Sequence, residues 1–131
     1  MTSPQEFSHS LFTWQQLNEF TVVTLARDLR TCSYGEKQLG YNRLMKQLGE
    51  SDMPCLLFDL SQCAMLDSVT VGVLIGLTKE AIRKGGHASL GGVSPSIKKT
   101  LSRLLLLEPK HRQVRWDVYE SVEHALCRSR P

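Results

Sequence analysis

The stretch LLFDLSQCAMLDSVTVGVLIGL, from Leu56 to Leu77, constrains the fold more than any other part of the chain. Leu56 to Leu60 is an almost unbroken apolar run of strand length, interrupted by Asp59, and Ser61 to Leu66 forms a connection. Val71, Leu74, Ile75, Thr78 and Ile82 then recur at the spacing of one helix face. A buried strand followed closely by an amphipathic helix is the building block of a parallel sheet. Asp67 or Ser68 stands where a side-chain oxygen caps the free amides at the helix start. The same amides and the helix dipole favour an anion there, so a phosphate on a nearby hydroxyl is a chemically reasonable switch.

The rest of the chain repeats this unit. Residues near Ser8–Trp14 and Thr21–Ala26 read as a hairpin about a turn at Gln15–Glu19. Tyr41, Leu44, Met45 and Leu48 mark one face of a helix over residues 36–48, which Gly49 ends. After the central strand at Cys55–Leu60 and the helix from about Ser68 to Lys84, Gly85-Gly86 supplies a stop and His87–Val93 a further strand. Ser94-Pro95 starts a third helix with Ile97, Leu101, Leu104 and Leu105 on its inner face. Val114, Trp116 and Val118 alternate as a last strand, and Ser121 opens a short helix carrying Val122, Ala125 and Leu126. The order is hairpin, helix, strand, helix, strand, helix, strand, helix. Strand-helix-strand crossovers require mainly parallel pairing with right-handed connections, so the fold class is α/β.

With 131 residues, 41% of them hydrophobic and 22% charged, the chain suits one globular domain. Its apolar runs, such as Leu104–Leu107, are far shorter than the roughly 20 residues that span a bilayer, and no signal-like leader precedes the first strand. The expectation is a cytoplasmic protein without membrane insertion. Cys32, Cys55, Cys63 and Cys127 form no C-x-x-C pair and have no histidine at ligand spacing, which predicts free thiols and no metal.

Little in the chain converges towards catalysis. His9, His87, His111 and His124 are scattered, and the Gly-Gly pairs at 85–86 and 91–92 do not match a phosphate-binding loop. Neither an enzyme nor a cofactor is expected. Asp59 and Asp67 fall at loop ends on the same edge of the expected sheet, where they serve as caps or as part of a polar partner surface. From Lys79 to Arg115 nine Lys or Arg face two Glu. Without interleaved aromatics this basic half, including Lys98, Lys99 and Arg103, reads as solvated helix faces or an acidic-protein contact before it reads as a nucleic-acid site.

The strand, the connection, the Asp67-Ser68 pair and the following Val71-Gly72-Val73 resemble the signature of STAS domains, named for sulfate transporters and anti-sigma factor antagonists. The resemblance covers roughly residues 9–128, leaving 1–8 as a flexible start, and implies a single STAS domain: a mixed, mainly parallel sheet with helices mostly on one face. The antagonists carry an aspartate, two serines, Gly, Leu and Gly, and the second serine takes the phosphate. Aligned on this chain, Asp67 matches the aspartate, Ser68 the first serine and Val69 the acceptor, while Thr70 and Gly72 stand on the glycines. Valine has no hydroxyl, which leaves Ser68 and Thr70 as phosphorylation candidates. Upstream, the Gly-Glu-Leu-Asp of the antagonists is replaced by Arg27-Asp28-Leu29-Arg30.

What the resemblance implies is protein recognition: binding an anti-sigma factor, usually a serine kinase, and so controlling sigma-factor-dependent transcription, with a phosphatase as a further partner. The implied contact surface comprises Asp28, Arg30, Asp59, Asp67, Ser68, Val69, Thr70 and Val71. Arg30 would then stand as the phosphate's partner. The alternative is a constitutive STAS scaffold subunit of a sensory or lipid-transport ATPase complex that lacks a phosphoswitch. Nothing in the sequence fixes the oligomeric state.

Overall fold

The computed structural model describes residues 7–8, 12–17, 20–25, 33–103 and 116–128. Among these residues six strands form one sheet in the order of the chain. The strands are β1 (Phe7–Ser8), β2 (Phe12–Leu17), β3 (Phe20–Leu25), β4 (Cys55–Asp59), β5 (His87–Gly91) and β6 (Trp116–Tyr119). The first three pair antiparallel, and β3 to β6 pair parallel. Helices α1 (Tyr34–Gly49), α2 (Ser68–Arg83) and α3 (Pro95–Arg103) make the crossovers, and α4 (Val122–Arg128) follows β6. The mainly parallel pairing expected from the alternation of elements is therefore present, in the mixed sheet that the family resemblance implies.

Alternation along β3 and β4 separates two cores. Val23, Leu25, Leu56 and Phe58 point towards α1, α2 and α3, where they join Leu44, Leu48, Leu74, Leu77, Ile97 and Leu101. Phe20, Val22 and Leu57 point the other way and meet Ala125 of α4. Among the described residues three helices thus cover one face and a single short helix the other, so β4 is apolar up to Asp59 because both its faces are buried.

Local chemistry sets the helix ends. Ser33 and Glu36 form a reciprocal capping box at the start of α1. Ser94 Oγ accepts the Ile97 amide at 3.2 Å and Ser121 Oγ accepts the His124 amide at 3.0 Å. Gly85, at φ +85°, takes the left-handed conformation that ends α2. The indole of Trp116 donates to Thr78 Oγ1 at 2.8 Å, tying β6 to the middle of α2.

Two expectations change. Gln15 and Gln16 continue β2, and Leu17 pairs directly with Phe20, so the hairpin connection is shorter than a turn over 15–19. Ile82, expected on the inner face of α2, is exposed; Leu77 and Ala81 take the buried positions because the inner stripe follows the 3.6-residue period past Thr78. Leu104, Leu105 and Val114 lie outside the described residues.

Candidate functional site

The connection from β4 to α2 carries an acidic residue at each end. Asp59, the last residue of β4, turns its carboxylate back on its own loop. Its Oδ1 accepts the Ser61 amide at 3.0 Å and the Ser61 hydroxyl at 2.6 Å. This local turn fixes the exit of the strand.

Asp67 reaches further. It is the N-cap of α2: Oδ1 accepts the Thr70 amide at 2.7 Å, and its backbone carbonyl accepts the Val71 amide at 3.0 Å. The second oxygen, Oδ2, accepts from Lys37 Nζ on α1 at 2.5 Å. The Lys37 side chain is only 8% exposed and that of Asp67 is 38% exposed. Partial burial opposes ionisation of Asp67, but the Lys37 ammonium and the Thr70 amide outweigh it and hold the carboxyl below the ordinary range. The Thr70 hydroxyl is buried without a hydrogen bond of good geometry, yet it lies near enough to this carboxylate to add to the same effect.

Around this anchor the residues sort by the helix period. Ser68 is exposed, Val69 is 37% exposed, and Met65 just before the cap is 53% exposed. Thr70 and Val71, expected at the contact surface, are buried at 1% and 5% because the first turn of α2 points them at the sheet and α1. Of the two candidate hydroxyls, Ser68 is therefore the one open to solvent. Asp28 and Arg30 lie outside the described residues.

Gln38, Tyr41, Ser68, Val69, Gly72 and Val73 line an open groove of about 240 Å³ between α1 and α2. The ring of Tyr41, one of these lining residues, also rests on Gly76; a Cβ at Gly76 would sit 2.5 Å from the phenol oxygen. Nothing occupies the corresponding space at Gly72, one turn nearer the helix start.

Cys63 lies beneath the loop, 4% exposed, and its thiol donates to the Met65 carbonyl at 3.2 Å. Burial pushes this thiol up from its ordinary pKa, which leaves it a poor nucleophile. Among the described residues no group of three or more His, Cys, Asp or Glu is placed to hold a metal ion, and no helix is long and apolar enough to cross a membrane.

Lys37 was not among the residues singled out from the sequence. A lysine on an amphipathic helix normally solvates the outer face. The available signal was its place four residues before Tyr41 and seven before Leu44, in line with the inner stripe.

The family model for the STAS domain matches residues 15–125. The chain belongs to the STAS domain family. Among solved structures, a STAS anti-sigma-factor antagonist domain protein from Planctomyces limnophilus superposes with a TM-score of 0.73 at 17% identity, covering 89% of this chain and 96% of that one. A putative anti-sigma factor antagonist from Thermotoga maritima gives a TM-score of 0.67 at 19% identity, with 94% and 97% covered. A chain of the stressosome, a signal integration and transduction hub, gives 0.64 at 21% identity, with 88% and 93% covered. At these identities the structural likeness establishes a shared fold. No curated protein matches the chain. Within this STAS domain, the Asp67 corner leaves Val69 exposed on the first turn of α2.

Proposed function

We propose that this STAS domain is a regulatory protein-binding module of the anti-sigma factor antagonist type. It works in the cytoplasm, without catalysis or a cofactor, and recognises an anti-sigma factor or serine kinase through the start of α2. The observation that carries this reading is the exposed pair Met65 and Val69 on either side of the solvent-facing Ser68. Apolar side chains held at the surface beside a half-buried ion pair are suited to a protein contact. The groove at Gly72 gives that contact a recess beside it.

Val69 at the family's acceptor position removes the usual phosphate site, and the burial of Thr70 leaves Ser68 as the hydroxyl for a switch. A phosphate there would add about 1.5 to 2 negative charges to an apolar contact and weaken it by repulsion and desolvation. Asp67 would repel that charge, and Arg30 is the proposed counter-ion.

The test uses the anti-sigma factor that pairs with this chain. Calorimetric titration should show binding that Val69→Glu weakens at least about tenfold with the unfolding midpoint unchanged. Unchanged affinity would move the interface away from α2. Incubation with the kinase and ATP followed by mass spectrometry decides the switch: phosphate on Ser68 supports it, and an unmodified chain leaves a constitutive binder.

A further inference from the structure

We propose that Lys37 is a positioning residue for this surface: its buried ammonium clamps Asp67 so that the Met65–Val69 segment is ordered before any partner arrives. The inference rests on reading the start of α2 as the binding surface. The geometry behind it is the division of one carboxylate between two helices. Oδ1 holds the Thr70 amide of α2 and Oδ2 holds Nζ of Lys37 on α1. A capping aspartate needs only the first of these contacts. The second brings a lysine inside the protein, where burying a charge is costly unless it is paired.

The position of Lys37 in α1 gives the clamp a purpose. Its own amide makes the first helical bond, to the Ser33 carbonyl at 3.0 Å, immediately after the capping box that starts the helix. Ser33 is where the chain enters α1 from the segment carrying Asp28 and Arg30. The pair therefore joins the entrance of α1 to the entrance of α2. Met65 and Val69 stand exposed two residues to either side of Asp67, and neither belongs to the fully buried core that would otherwise fix them. Ordering a binding segment in advance lowers the entropy lost on association.

Amide hydrogen exchange on the free, full-length chain tests the clamp without a partner. Lys37→Met keeps the length and apolar stem but removes the charge. Asp67→Asn keeps an oxygen for the Thr70 amide and places an amide NH₂ opposite Lys37, so it breaks the clamp while leaving a cap. Both variants should raise exchange of the Thr70 and Val71 amides by about tenfold or more, with the amides of β4 and β5 as protected as in the parent. The double variant should be no worse than either single one, because the two side chains act as one unit.

Unchanged exchange at Thr70 and Val71 in Asp67→Asn would overturn the clamp, as would a rise spread evenly over β4 and β5, which would make the pair a support of global stability alone. Either result leaves the binding reading intact. Conversely, local loosening together with undiminished binding of Val69→Glu would uphold the clamp and remove the surface assigned to it.

Discussion

The first turn of α2 and the two turns that follow it are built on opposite terms. Leu74 and Leu77 in the later turns are 2% and 0% exposed and lock into the main core with Leu56, Phe58 and Leu44. The first turn leaves Ser68 and Val69 in solvent and is held by Asp67 and its contacts with Lys37 and Thr70. Burial fixes the later turns through many small contacts; in the first turn only Thr70 and Val71 are buried, and its exposed side depends on a few directional contacts. Stability and the proposed recognition thereby fall to different parts of the same helix, and substitutions should separate them.

The largest effect should fall in the packed turns. Leu74→Ala removes a side chain beneath α2 and should cost about 2 to 5 kcal/mol, read from denaturant unfolding. A cost below about 1 kcal/mol would mean that this part of the helix is no better packed than its start.

Asp67→Ala comes next, at about 1 to 2 kcal/mol, from the lost cap and a lysine left without its carboxylate. Its pH dependence identifies the cause. Because the folded state lowers the Asp67 pKa, its contribution is fully present above the unfolded value of about 3.9 and is lost as pH falls through the folded value. The stability difference between the parent and Asp67→Asn should accordingly be larger at neutral pH than near pH 3. A difference that does not change with pH would assign the effect to shape rather than charge.

The two glycines of α2 give the smallest and sharpest contrast. At Gly72 an added Cβ meets nothing within 4 Å, so Gly72→Ala should stabilise the helix by up to about 1 kcal/mol. At Gly76 it would strike the Tyr41 ring, and the cost of displacing that ring, about 1 to 3 kcal/mol, should cancel or exceed the same gain. Equal effects at the two sites would show that Tyr41 gives way freely.

The division between the two regions of α2 also marks what the sequence could convey. Leu56–Phe58, Leu74 and the Ser94-Pro95 start were legible because burial and capping leave a local period or a local residue type. The Asp67 cap was legible as one of two neighbours, and the structure selects it over Ser68. The partner of its other oxygen was not, because Lys37 lies 30 residues away and a lysine carries no signal of burial. Ile82 misled for a related reason: four residues past the buried Thr78 it has turned off the inner stripe, and Ala81 takes the core position instead. The exposure of Val69 beside the buried Thr70 follows from how α2 is rotated against the sheet, which depends on packing with α1 as well as on the helix's own pattern.

The central claim, that the exposed start of α2 is the surface this STAS domain uses for recognition, is tested most directly by mapping amide protection in the complex with the anti-sigma factor proposed as its partner. The account predicts new protection concentrated over residues 65–73 and on the α1 side of the groove at Gln38 and Tyr41. Protection confined to α3 around the exposed Lys98, Lys99 and Arg103, with residues 65–73 unchanged, would contradict it.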